Sequence, residues 1–249
     1  MKVKKIFNWQ VVVGIILIML STIVYGVHYI IFRDMHHILI YLIGDIAFVF
    51  LEVLFVTLII HRLLLHREKQ TLLKKLNMVI GVFFSEVGTE LIKMLSVFDP
   101  DVFNITQKLL ITNEWSEKEF LSVYKDLRRY ETNIDIKRGD LEELKKYVVS
   151  KRNFLLNLLG NPNLLEHEMF TTLLWAVFHL TDELSRRNNL MQLSEKDYQH
   201  LEIDIKRAYH RLIIEWLSYM KHLKKDYPYL FSLSMRTNPF DSNVSIEVK

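Results

Sequence analysis

The fold of this chain is decided by residues 11–60, which read VVVGIILIMLSTIVYGVHYIIFRDMHHILIYLIGDIAFVFLEVLFVTLII. Two apolar runs, residues 11–31 and 38–60, are joined by the short polar break RDMHH at residues 33–37. About 20 apolar residues, rising 1.5 Å each, cross the roughly 30 Å hydrocarbon core of a bilayer. Both runs reach that length, so the sequence predicts a transmembrane helical hairpin at residues 1–66, with the lipid bilayer as its partner.

The basic residues on either side of the two runs predict the orientation of the hairpin. Three lysines precede the first run, and Arg33 is the one lysine or arginine between the runs. Five basic residues follow the second run, namely Arg62, Arg67, Lys69, Lys74 and Lys75. Because basic residues concentrate on the cytoplasmic side of membrane proteins, we expect a multi-pass protein of the cell membrane with both termini in the cytoplasm.

The composition of the chain excludes several classes of function. The 32 lysines and arginines barely exceed the 29 aspartates and glutamates, which is too small a surplus to predict nucleic acid as a partner. The chain has no cysteine, so disulfides, thiolate metal sites and cysteine nucleophiles are excluded. Its 249 residues include only 7 glycines and 4 prolines, which favours long helices over a β-rich fold.

The chain after the hairpin has the pattern of helices throughout. Only two glycines and no proline lie between His61 and Phe98, so the second span is expected to continue into a long membrane-proximal helix at residues 67–98. Pro100 ends that helix. Helical patterns then cover residues 140–159, 164–187 and 194–225. We therefore predict an all-α chain, with a cytoplasmic helical bundle at residues 99–235 and a tail at residues 236–249.

Three stretches carry a resemblance to a known family. They are LIGDIAFVFLEVL at residues 42–54, LLWAVFHLTDEL at residues 173–184 and YPYLFSLSMRTNPF at residues 227–240. Together they resemble a family of uncharacterised prokaryotic membrane proteins that have an amino-terminal two-helix hairpin and a cytoplasmic helical domain. The resemblance covers the whole chain. It implies the architecture and brings no activity, ligand or site.

Two acidic residues inside the second apolar run are the main candidates for function. Asp45 and Glu52 are seven residues apart and share one helix face, with Tyr41 one turn before. The first run offers a matching polar stripe that contains Ser21, Tyr25 and His28. An ionisable group inside a bilayer is costly and faces protein or water. These carboxyl groups therefore either fix the packing of helices by hydrogen bonds or form acidic rings along a cation path.

The remaining polar residues have a structural or surface role as their simplest interpretation. We expect Trp9, His61, Arg62, His66 and Arg67 to lie at the membrane interface. His179 and Glu183 are four apart on one helix face and are weak candidates for a metal site, because the repeated motif of a two-metal centre is absent. The last long helix is basic, and its basic residues form a solvated face or contact the membrane or an acidic partner. We expect no bound metal and no cofactor.

Two functions fit this pattern. The first is a homo-oligomeric cation channel or pore with a cytoplasmic gating or sensing bundle. The second is a membrane-anchored scaffold or sensor whose bundle binds a cytoplasmic protein partner. The sequence contains no catalytic motif, so we do not expect an enzyme.

Overall fold

The computed structural model describes residues 2–241 and divides the chain into two compact units, Met1–Glu68 and Lys69–Lys249. Every regular element within residues 2–241 is a helix, which confirms the predicted all-α class. Each unit is described below by itself.

The first unit contains two helices that are long and apolar enough to cross a membrane. Helix α1 spans Lys2–Phe32, and α2 spans Met35–Phe83, so α2 continues beyond the unit. Arg33 has a left-handed φ of 52° and its N–H donates to the carbonyl of Tyr29 at 2.8 Å, which ends α1. The Asp34 carboxylate accepts from the N–H of His37 at 3.1 Å and caps the start of α2.

The second unit begins with the last part of α2 and continues with further α-helices along the chain. They are α3 (Thr89–Ser96), α4 (Val102–Lys108), α5 (Glu117–Arg129), α6 (Leu141–Ser150), α7 (Arg152–Leu159), α8 (Glu168–Arg186), α9 (Glu195–Asp226) and α10 (Pro228–Arg236). Ser116 and Glu119 form the capping box at the start of α5 that their spacing indicates. Ser194 caps α9 by accepting from the N–H of Asp197.

Helices α8 and α9 form the most extensive helix–helix contact of the second unit. The buried face of α8 runs from Phe170 to Leu184, and that of α9 runs from Leu201 to Leu223. Both faces follow the three- and four-residue spacing of amphipathic helices. The unit therefore has a core of its own, with α9 packed against α3, α5, α8 and α10.

A π-helical turn, Phe84–Gly88, separates α2 from α3. The Tyr147 hydroxyl donates to the carbonyl of Val87, within this turn, at 3.1 Å. Burial raises the pKa of Tyr147 to about 12, so the hydroxyl keeps its proton. A Cβ on Gly88 would lie 2.5 Å from the ring of Phe84, which explains why the smallest residue stands there.

The π-helical turn interrupts the helix predicted at residues 67–98, and further segments also differ from the prediction. The helix expected at residues 140–159 is two helices, because the backbone bends at Lys151, where φ is −94° and ψ is 0°. The start of the tail predicted at residues 236–249 packs on the rest of the second unit. Asn238 donates to the carbonyl of Leu109 at 2.8 Å, and the ring of Phe240 packs on Trp216. The remainder of the predicted tail, residues 242–249, lies outside the described residues.

Candidate functional site

A large open cleft of about 880 Å³ lies between α5 and α9. Arg128 and Arg129 come from the last turn of α5, and Lys206 and His210 lie four apart on one face of α9. We call this surface the basic cleft. Its lining residues are Tyr124, Arg128, Arg129, Tyr130, Glu131, Thr132, Met169, Ile203, Lys206, Arg207, His210, Arg211, Ile214 and Glu215.

Positive charge dominates the basic cleft. Five lysine and arginine side chains face two carboxyl groups, those of Glu131 and Glu215. Arg207 is paired with Asp204 at 2.8 Å. The other four cations form no hydrogen bond or ion pair with any residue in the described part of the chain; they are Arg128, Arg129, Lys206 and Arg211. The cleft therefore offers unneutralised cations to a ligand.

The positive charges of the cleft affect the pKa of one of its histidines, His210. Burial lowers the pKa of His210, and the charges of Arg211 and Lys206 lower it further. The ring is therefore neutral at neutral pH. Its Nδ1 lies 3.3 Å from the hydroxyl of Thr132, which fixes the orientation of the ring.

Glu215 is the buried carboxyl group of the cleft, with only 3% of the residue exposed. Burial raises the pKa of Glu215 to about 7. Its Oε1 lies 3.8 Å from Nε2 of His167, whose pKa burial lowers. Both shifts favour the uncharged form, so at neutral pH this contact is not a full ion pair.

A second cluster joins α8 to α9 and consists of His179, Glu183, His200 and Asp204; we call it the His/carboxylate cluster. The Nε2 atoms of His179 and His200 each lie 3.3 Å from Oδ2 of Asp204. Nε2 of His200 also lies 3.8 Å from Oε2 of Glu183. One ligand atom from each of His179, Glu183 and His200 lies within 4.8 Å of the other two.

The spacing of His179 and Glu183 on α8 predicts half of this cluster, while His200 stands apart from them on the last long helix of the sequence. The structure adds His200 and Asp204, which are also four residues apart. A repeat of the same histidine-to-carboxylate spacing on two neighbouring helices is the signal that could have identified the cluster.

The polar residues of the hairpin are only partly brought together. Tyr25, His28 and Tyr41 line a cavity of about 120 Å³ with Val24 and Ile38. Tyr25 and Tyr41 thus line the same cavity, whereas Ser21, Asp45 and Glu52 are exposed and lie outside it.

The residues expected at a membrane interface are all exposed in this structure. They are Trp9, His61, Arg62, His66 and Arg67. Exposure is compatible with contact to lipid headgroups, and that contact stays a prediction.

The fold and these sites define an all-α protein in which an apolar helical hairpin precedes a helical domain. Family models of the N-terminal and C-terminal helical domains of MJ1433 match residues 3–64 and 72–236. A relative from Methanocaldococcus jannaschii, described as "Uncharacterized protein MJ1433", is 49% identical over 235 residues, which cover 94% of each chain. The chain therefore belongs to the MJ1433 family.

The predicted family relationship is thereby confirmed, and the membrane character attached to it stays a prediction. No solved structure matches the chain significantly.

The raised pKa of Glu215 predicts a pH-dependent stability. The unfolded carboxyl titrates near 4.5 and the folded one near 7, so only the folded state holds the proton between these values. Stability is therefore lost as the pH rises through this window, by about 3 kcal/mol at most, at 1.36 kcal/mol per pKa unit. We expect Glu215→Gln to remove this loss, as measured by thermal unfolding of the full-length protein in detergent at pH 4.5 and pH 8.

The lowered pKa values of His167 and His210 make the protein more stable as the pH rises, which is opposite to the effect of Glu215. The difference between variant and wild type gives the contribution of Glu215 alone. Glu202→Gln, at a partly exposed position of the same helix, is the matched control and should keep the wild-type pH dependence. An unchanged pH dependence in Glu215→Gln would contradict the assignment.

Proposed function

We propose that this protein is a membrane-anchored receptor whose helical domain binds an anionic small molecule in the basic cleft. The observation that carries the proposal is a group of four cations around one cleft that pair with no other residue that the structure describes, namely Arg128, Arg129, Lys206 and Arg211. Cations that lack a protein partner and face a shared space are suited to a phosphorylated or carboxylated ligand.

The size and chemistry of the cleft support a small-molecule ligand over an extended surface contact. Its volume of about 880 Å³ is within the range of ligand pockets in proteins. Arginine presents a planar fork of donors that matches a phosphate or carboxylate group. Tyr124 and Met169 add apolar surface at the edge of the cleft, which would contact an uncharged part of the same ligand.

The membrane anchor is supported by the exposed apolar side chains of the first unit. Ile18, Ile30 and Phe50 are each 69 to 73% exposed. Soluble monomers rarely expose contiguous apolar patches of more than a few hundred Å². In our proposal a bilayer covers these side chains, and the distribution of basic residues puts both termini and the helical domain in the cytoplasm.

Anion binding is tested by calorimetry on the full-length protein in detergent, with pyrophosphate and ATP as probes in a metal-free buffer. We expect at least one probe to bind. Lys206→Gln and Arg129→Gln should each weaken binding about 10-fold or more, because a hydrogen bond to a charged group contributes about 1.5–3 kcal/mol.

Lys225→Gln is the matched control, since Lys225 is exposed on α9 and lies outside the cleft. It should leave the affinity unchanged. The proposal fails if neither probe binds, or if the three variants weaken binding equally.

A second candidate function is a homo-oligomeric cation channel, and the hairpin carboxylates favour it. Asp45 and Glu52 lie on an apolar helix, and neither forms a hydrogen bond or ion pair within residues 2–241. A carboxylate at membrane depth requires polar surroundings. Further copies of the hairpin, with these carboxylates around a water-filled path, would supply such surroundings.

The channel is tested by mass photometry and by potassium efflux from liposomes that contain the purified protein. We expect symmetric oligomers and an efflux that Asp45→Asn and Glu52→Gln both reduce. Asp34→Asn changes a carboxylate between the two apolar runs and is the control that should retain the efflux. A monomer without efflux would exclude this second function.

A further inference from the structure

Helices α8 and α9 each present one histidine and one carboxylate to the same point. His179 and Glu183 are four residues apart on α8, and His200 and Asp204 are four apart on α9. Residues four apart lie on one face of a helix. The contact between the two helices therefore places two matched pairs of metal-ligating side chains opposite each other.

We propose that His179, Glu183, His200 and Asp204 form a binding site for one divalent transition metal ion, with Zn²⁺ as the best match, that links α8 to α9. Zn²⁺ is commonly bound by imidazole nitrogens and carboxylate oxygens in four-coordinate tetrahedral sites. The proposal is independent of the ligand assigned to the basic cleft.

Two distances within the cluster match an edge of a tetrahedral site, and both involve Asp204. Bonds from zinc to nitrogen or oxygen are about 2.0–2.2 Å, so the edges of the coordination tetrahedron are about 3.3–3.6 Å. Nε2 of His179 and Nε2 of His200 both lie 3.3 Å from Oδ2 of Asp204. The distance from Nε2 of His200 to Oε2 of Glu183, 3.8 Å, exceeds an edge by a few tenths of an ångström. Binding of one ion by all four residues therefore requires the side chains to rotate, above all that of Glu183, which Arg187 also contacts.

A second observation points to a ligand at this position. Asp204 is 99% buried, since only 1% of the residue is exposed, and its Oδ2 accepts no hydrogen bond from the residues that the structure describes. Leaving a buried charged oxygen unpaired is costly. Two ring nitrogens stand 3.3 Å away, but neither ring is oriented to donate a hydrogen bond to this oxygen. A cation bound by all three atoms satisfies this oxygen.

The surroundings of the cluster suit entry and retention of an ion. The His179 and His200 side chains are 45% and 49% exposed, so an ion reaches the ring nitrogens directly from solvent. Arg207 holds the other Asp204 oxygen, Oδ1, at 2.8 Å and orients the carboxylate. Arg187 pairs with Glu183, and coordination of the metal by Glu183 replaces that contact.

The test is metal binding by the full-length protein in detergent, purified without a polyhistidine tag and stripped with a chelator. We expect calorimetry to show one Zn²⁺ per chain, elemental analysis to confirm that ratio, and Co²⁺ to give the visible absorption bands of a tetrahedral complex. His179→Ala and His200→Ala should each weaken Zn²⁺ binding by more than about 100-fold, because loss of even an outer-shell partner costs 10–100-fold.

His66→Ala is the matched control, since His66 is an exposed histidine of α2 outside the cluster, and it should bind Zn²⁺ like the wild type. Circular dichroism checks that the variants fold, which is expected because both altered rings are half-exposed. The proposal is overturned if the wild type binds neither Zn²⁺ nor Co²⁺. It is equally overturned if His179→Ala and His200→Ala both bind as tightly as His66→Ala.

Discussion

An apolar surface covers residues 11–32 of α1 and the first half of α2. The side chains of Ile30 and Phe50 are each 73% exposed, and large apolar neighbours along both helices are exposed as well. Apolar surface removed from water contributes about 25 cal/mol per Å², so covering these side chains with an apolar environment is favourable. In our account the bilayer supplies it. The apolar residues of the second unit are instead covered by one another, because they form a core of their own.

Helix α9 organises the second unit. Its apolar face is buried along most of its length, and its remaining faces carry both candidate sites. His200 and Asp204 belong to the His/carboxylate cluster, while Lys206, His210 and Arg211 line the basic cleft. Arg207 takes part in both, since it pairs with Asp204 and lines the cleft. The two candidate sites are therefore neighbours that share a side chain.

The sequence predicted the helices well where local signals mark them. Ser116, Glu119 and Ser194 cap helices as their spacing indicates, and the low glycine and proline content matches an all-α fold. The sequence does not indicate the bend at Lys151, because no glycine or proline marks it. The π-helical turn at Phe84–Gly88 was missed because it depends on rings packed from other helices.

The sites were harder to predict because they depend on contacts between distant residues. The basic cleft joins Arg128 and Arg129 of α5 to cations of α9, and nothing in the sequence indicates that these helices are neighbours. His179 and Glu183 were recognised as a pair, but their partners His200 and Asp204 lie on the next long helix. Asp45 and Glu52 are recognisable in the sequence because each is a charged residue in an apolar run. Their surroundings cannot be read from the sequence, because they depend on what covers the hairpin.

The location of the hairpin in a bilayer and of the helical domain in water is tested by spin labelling. The chain has no cysteine, so single-cysteine variants carry one label without background. In liposomes, we predict that labels at Ile18→Cys and Phe50→Cys are relaxed by oxygen and protected from a water-soluble nickel chelate. A label at Met191→Cys, where the residue is 80% exposed in the second unit, should show the reverse. Equal access of the nickel chelate to all three labels would contradict the account.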